Sequence, residues 1–140
     1  MSYCTQTDIE NIFGVTNVVL WSNLDNQTTT ADATRIAAAI AYAGSFIDDR
    51  FQDGRFVVPL QSRGGSGLAQ ITDIAARLAG CWLYESRGMA DLSDESIAGN
   101  NTVRNHRKYA EKMIDDYAKG RVTLSATFNR MFTNIPTVGR

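Results

Sequence analysis

The stretch ADATRIAAAIAYAGSFIDDRFQ, residues 31–52, decides the fold. Its large apolar side chains Ile36, Ile40, Ile47 and Phe51 recur at intervals of four, seven and four, the period of one helix face. Between them Ala37, Ala38, Ala39, Ala41, Ala43 and Gly44 keep the remaining surface thin, so neighbouring helices can approach closely. The run 25–30 before it is polar and turn-like and ends on Thr30, a good N-cap. A helix over residues 31–52 spans roughly 33 Å and is the expected longest element of the core.

Working outward, the same period recurs on both sides. Upstream, Thr7 and Glu10 have the spacing of a capping box ahead of Ile9, Ile12 and Phe13, and Gly14 is placed to stop that first short helix. A second short helix is expected over 17–23, although Val18 and Val19 are β-branched. Downstream, residues 55–60 read as extended, with Pro59 confining any strand to an edge. Glycines 64, 65 and 67 mark a loop. A helix over 68–86 carries Ile71, Ile74, Ala75, Leu78, Cys81, Trp82 and Leu83 on more than one face and should lie centrally, with Gly88 as its stop. A polar loop follows over 91–101. The last helix, 102–119, sets Val103, His106, Ala110, Met113, Ile114 and Tyr117 on its inner stripe, with Gly120 closing it. The fold class is therefore all-α: a small bundle of three long helices with one or two short N-terminal ones, ending in an extended C-terminal tail.

At 140 residues the chain is one domain long. Hydrophobic content of 44% and charged content of 21% disfavour global disorder. The net charge of −1 gives no general attraction to nucleic acid or to an anionic membrane. Cys4 and Cys81 form no CxxC pair, which suits a reducing compartment. With no signal peptide or spanning segment evident, a soluble intracellular domain is expected. The charge is uneven: residues 1–103 carry 12 acids and 6 bases, whereas residues 104–140 carry 3 acids and 8 bases. Residues 1–120 form the expected bundle domain and 121–140 a separate arm. In that arm Val122, Leu124, Ala126 and Phe128 alternate with polar residues, a period of two, and Met131 and Phe132 follow. Such a segment either packs back on its own bundle or docks on a partner, and Arg121, Arg130 and Arg140 favour the partner.

Candidate chemistry is sparse. Asp49 and Asp53 lie one helical turn apart beside Asp48, a spacing that could share a cation, but Arg50 and Arg55 can neutralise them. Asp115 and Asp116 form a second doublet, also in a last turn, where carboxylates oppose the helix dipole. The glycine-rich run 64–67 lacks the lysine and hydroxyl of a phosphate loop. His106 is the only histidine, and Arg104, Arg107 and Lys108 should depress its pKa. Cys81 sits among apolar residues and reads as an inert thiol. Neither an enzyme nor a cofactor or metal site is expected. The basic segment 104–121 leaves one alternative, a small DNA-binding regulator.

An ordered set of short motifs carries a family resemblance. The chain opens with Met1 to Thr5, then has Thr7 to Glu10, Phe13 with Gly14, and Trp21 to Asp25. It continues with Ile47 to Phe51, Val58 to Leu60, Thr72 with Asp73, Leu83 with Tyr84, Arg87 with Gly88, Tyr109 to Glu111, Asp116 to Gly120, and Leu124. Over about residues 1–125 the sequence resembles the head–tail joining proteins of Mu-like bacteriophages and prophages, a family of head-completion adaptors. The resemblance implies a structural virion protein that forms a ring with neighbouring copies of itself, twelvefold in the family, beneath the portal protein. It also implies a downstream stopper or tail-completion protein as partner, and genomic DNA passing through the lumen without sequence-specific binding. The expected location is the head–tail interface of the virion, after assembly in the host cytoplasm, with no membrane partner. Mapped onto this chain, the portal-docking arm comprises Arg121, Val122, Leu124, Phe128, Arg130, Met131 and Phe132. The loop facing the lumen or the next ring comprises Arg55, Phe56, Arg63, Gly64 and Gly65.

Overall fold

The computed structural model describes residues 2–24, 29–52, 56–61, 68–86 and 102–121. Among the described residues five helices follow in order: α1 (Gln6–Phe13), α2 (Val15–Ser22), α3 (Ala33–Arg50), α4 (Ala69–Ser86) and α5 (Thr102–Ala118). The architecture is the all-α bundle expected, three long helices and two short ones. Residues 122–140, the acidic Asp53 and all of the loop at 62–67 lie outside the described residues.

Helix α4 is the centre. It buries Ile71, Ile74, Ala75, Ala76, Leu78, Ala79, Gly80, Cys81 and Leu83, so that it is covered on most sides. Its largest interface is with α3, followed by α5 and α1. On α3 the side chains of Ile36, Ala39, Ala43, Gly44 and Ile47 are buried, the small residues letting the two longest helices approach. Helix α5 contributes Ala110, Ile114, Tyr117 and Ala118.

The helix starts differ from the sequence expectation. The capping box at α1 is Thr5 with Asp8, not Thr7 with Glu10: the Thr5 amide donates to Asp8 Oδ2 at 2.8 Å, and Thr5 Oγ1 accepts from the Asp8 amide. The earlier start is favoured because Cys4 is buried and Tyr3 is tied to α3, which fixes where the chain enters. Gly14 does end α1, with φ 92°, and also serves as the N-cap of α2, so α2 begins at Val15 rather than at residue 17. For α3 the cap is Asp32 rather than Thr30, its Oδ1 accepting from the amides of Thr34 and Arg35. Ser22 Oγ accepts the Asp32 amide, and Asn23 donates to the Thr30 carbonyl, so the connection from α2 fixes that register. Gly120, at φ 78°, follows α5 as expected.

The segment 56–61 is not a free loop flank. Phe56 and Leu60 are buried, and the rings of Phe51 and Phe56 meet edge to face at 5.4 Å. The Leu60 amide donates to the Tyr3 hydroxyl at 2.8 Å, and that hydroxyl donates to Asp48. One phenol thus joins the segment before α1, the end of α3 and the segment after it.

Candidate functional site

Four features carry the polar chemistry of the described surface. The first is the aromatic and cationic cluster where α1, α2, α4 and α5 meet. Phe13 packs edge-on against Trp21 at 5.4 Å and against His106 at 4.9 Å, and Trp21 packs on Tyr84 at 5.1 Å. Arg77 hydrogen-bonds Nδ1 of His106 and pairs with Asp73 at 2.8 Å. Arginine can only donate, so Nδ1 accepts and the imidazole is neutral, with its proton on Nε2. Burial and then the Arg77 charge lower the His106 pKa, partly offset by Asp73. The depression expected from the sequence is present, but its cause is burial and a residue of α4 rather than Arg104, Arg107 and Lys108.

The second feature is Arg107. Its guanidinium meets Glu85 at 3.0 Å, Glu111 at 3.2 Å and the Tyr42 hydroxyl at 2.8 Å. Burial works against its charged form, but Tyr42 and Glu85 more than compensate and hold the guanidinium protonated. Helices α3, α4 and α5 are thereby tied at one point.

The third is the end of α5. Asp116 accepts from Lys112 at 3.0 Å, Asp115 pairs with Lys119 at 3.1 Å, and Arg121 reaches both carboxylates at 3.1 Å. The hydrogen bond from Lys119 to Asp115 and that from Lys112 to Asp116, each joined by Arg121, hold both carboxyls below the ordinary carboxylate range. The repulsion of a carboxylate doublet at a helix C-terminus is met by three local cations. The basic segment 104–121 is thus largely paired within the molecule: Arg107, Lys112, Lys119 and Arg121 all have carboxylate partners.

The fourth is an open groove of about 650 Å³ between α3 and residues 2–6, with Cys4, Ile36, Ala37, Ile40, Ala41 and Asp48 among its lining residues.

Burial pushes the thiols of Cys4 and Cys81 up to about 12, and the Cys81 thiol donates to the Val103 carbonyl at 3.2 Å. Cys81 is buried, as its apolar neighbours in the sequence predict. Among the described residues no three metal-ligating side chains converge. Asp48 is occupied by Tyr3, and its expected companion Asp53 lies outside the described residues.

Of the residues assigned to the portal-docking arm, only Arg121 is described, and it is clipped to Asp115 and Asp116. Val122, Leu124, Phe128, Arg130, Met131 and Phe132 lie outside the described residues. Of the lumen or next-ring loop, only Phe56 is described, and it is 4% exposed against Phe51. A buried ring cannot serve as a loop contact, so Phe56 is a core residue. Arg55, Arg63, Gly64 and Gly65 lie outside the described residues. Sequence reasoning missed the Arg107 hub; its spacing to Glu111 was one available signal, but Glu85 and Tyr42 come from other helices.

The class defined by these features is a small helical bundle whose polar side chains are organised for holding helices together. Among the described residues no helix is long and apolar enough to cross a membrane. The profile of the family described as Bacteriophage Mu, Gp36 matches residues 3–131, and the chain belongs to that family. It is a Mu-like phage protein. No curated protein matches the chain.

Proposed function

We propose that this protein is a head–tail adaptor, a structural component whose copies form a ring under the portal and extend the DNA channel towards the tail. The observation that supports this most directly is membership of a Mu phage family over nearly the whole chain. It is supported further by the composition of residues 122–140, which follow the Arg121–Asp116 pair and carry seven large apolar residues, Val122, Leu124, Phe128, Met131, Phe132, Ile135 and Val138, and no acidic side chain. In this reading residues 122–140 dock on the portal, with Val122, Leu124, Phe128, Met131 and Phe132 as apolar anchors and Arg130 as a cation. Arg55, Arg63, Gly64 and Gly65 face the lumen or the next ring. A downstream stopper or tail-completion protein binds below, DNA passes without sequence-specific contact, and the protein resides at the head–tail interface of the virion. No catalytic group is assigned.

Each bundle already buries its apolar stripes, so neighbouring copies meet through polar helix faces. Such contacts are weak singly and strengthen when a template holds many copies at high effective concentration. Particle images of the protein mixed with its portal test the proposal: a closed ring on the portal is expected, and none with the Phe128→Ala, Phe132→Ala chain. Arg140→Ala should matter less, because a buried aromatic anchor outweighs a rim charge. Absence of any portal complex, together with salt-dependent binding of the isolated chain to duplex DNA, would favour the regulator instead.

A further inference from the structure

Helix α3 has a flank on either side of its buried stripe, and the two differ in chemistry. One flank is the floor of the groove walled by residues 2–6, with Ala37, Ala41 and Ser45 exposed and Ile40 half-buried. Among the described residues the lining includes one carboxylate, Asp48, and no lysine or arginine. Asp32 caps the helix at the groove's other end. The other flank carries Arg35, Tyr42, Phe46 and Arg50. The Arg35 guanidinium lies over the Trp82 ring at 5.4 Å and that of Arg50 over Phe46 at 4.4 Å, while Tyr42 packs on both rings. The three rings are half-buried and Arg50 is exposed. Among the described residues neither Arg35 nor Arg50 pairs with a carboxylate, and Glu85 and Glu111 are held by Arg107.

We infer that these flanks are the two halves of one contact between copies, the Arg35–Arg50 flank of one chain seating in the α3 groove of the next. Charge and spacing both match. Arg35 and Arg50 stand 15 residues apart, roughly 22 Å along the helix. Asp32 and Asp48 stand 16 apart, roughly 24 Å. Two α3 helices laid side by side in the same sense bring Arg35 to Asp32 of the next copy and Arg50 to its Asp48. In both aspartates the hydrogen bonds among the described residues go to Oδ1, from the Tyr3 hydroxyl at Asp48 and from two amides at Asp32. Oδ2 is the atom left to receive a guanidinium. Between the charged ends, the rings of one flank meet the alanines of the other, and arginine with aromatic side chains is the composition that anchors protein contacts. Because the flanks lie on different sides of one helix, each copy offers both at once. Such a head-to-tail contact closes into a ring when its rotation allows.

The inference rests on the adaptor reading and deepens it, naming the faces through which neighbours in the ring meet. Two ion pairs and a shallow groove make a weak contact singly, which is the kind that a template strengthens.

Cross-linking of full-length chains on the portal tests it, with Ser45→Cys in the groove of one chain and Asp49→Cys beside Arg50 in the other. Treated with a short bismaleimide, the mixture should give a linked pair, and neither chain alone should. The native thiols of Cys4 and Cys81 are buried and stay out of the reaction. Ala41→Arg added to the groove chain, or Arg50→Glu added to the other, should cut the yield about tenfold or more. Arg50 is exposed, so Arg50→Glu keeps the test sound if Ala41→Arg loosens the helices. A portal-bound ring that forms without the mixed link would overturn the inference and leave the adaptor reading standing. Links within the Ser45→Cys chain alone, or a yield that Arg50→Glu does not lower, would overturn it in the same way. Absence of any ring on the portal would instead overturn the adaptor reading, and this contact with it.

Discussion

The ring of Phe13 occupies the space where a β-carbon on Gly80 would stand. Helix α1 therefore reaches α4 through the absence of a side chain, and the ring seated there also meets Trp21 and His106. Gly80→Ala gains up to about 1 kcal/mol of helix propensity but must displace a ring already packed on two others, and overpacking costs about 1–3 kcal/mol. A net loss of stability is expected in urea unfolding. In the Phe13→Ala background the same change should cost far less, because the overlap is gone. Equal costs in both backgrounds would show that the contact does not matter.

Arg107 ties three helices through Glu85, Glu111 and Tyr42. The ion pairs are partly exposed and each contributes only about 0.2–1 kcal/mol, while the bond to Tyr42 adds about 1 kcal/mol. Arg107→Ala should thus lower stability by about 1.5–3 kcal/mol, less at high salt. Arg107→Lys should recover only part, since a point charge cannot reproduce the fork of donors. Full recovery by lysine would mean that charge alone is used.

The long helices were legible in the sequence because Ile36, Ile47, Ile71, Ile74, Leu78, Ala110 and Ile114 keep one period, and burial follows that period. What was not legible depended on partners distant in the chain. Thr5 with Asp8 and Thr7 with Glu10 match the same capping pattern; the contacts of Tyr3 and Cys4 select the first. Phe56 stands at the edge of a glycine-rich run and reads as loop, until Phe51 buries it. Gly80 carries no local signal that Phe13 needs its space. Arg104 to Lys108 reads as a basic patch, and only the fold supplies Arg107 with Glu85.

His106 gives the protein one acid-sensitive point near neutrality. Its pKa is lowered by burial and by Arg77, so on acidification the unfolded chain takes up the proton before the folded one does. The stability tied to this group is complete above the ordinary value of 6.5. It falls as pH drops below that value, until the folded imidazole is also charged. The urea midpoint should decline between pH 7.5 and 5.5 in the native sequence. Because no other histidine exists, His106→Gln should flatten that decline. A slope that persists in the variant would assign it elsewhere.

At the end of α5, Arg121 shares Asp115 and Asp116 with Lys119 and Lys112. Arg121→Ala should fray the last turn, seen as faster amide exchange over residues 115–121 with the rest of the bundle unchanged. Both carboxyls are held below their ordinary range. Their contribution is therefore present above about pH 4 and lost only as pH falls through the lowered folded values. Fraying at pH 6 in the unsubstituted chain would contradict this.

Tyr3 joins three parts of the chain with one oxygen: it donates to Asp48 and accepts from the Leu60 amide. Its pKa is raised, chiefly by burial and then by the bond to Asp48, so the phenol stays protonated and can keep donating. Tyr3→Phe preserves the ring but leaves the amide and the carboxylate short of a partner. Unsatisfied groups of this kind cost about 1–3 kcal/mol when buried. Asp48→Asn keeps an acceptor for the phenol and should cost less, losing only the charge assistance. The same order should appear in exchange at the Leu60 amide, fastest in Tyr3→Phe and intermediate in Asp48→Asn. If Asp48→Asn proved the more damaging, the carboxylate would have a role that the Tyr3 bond does not explain.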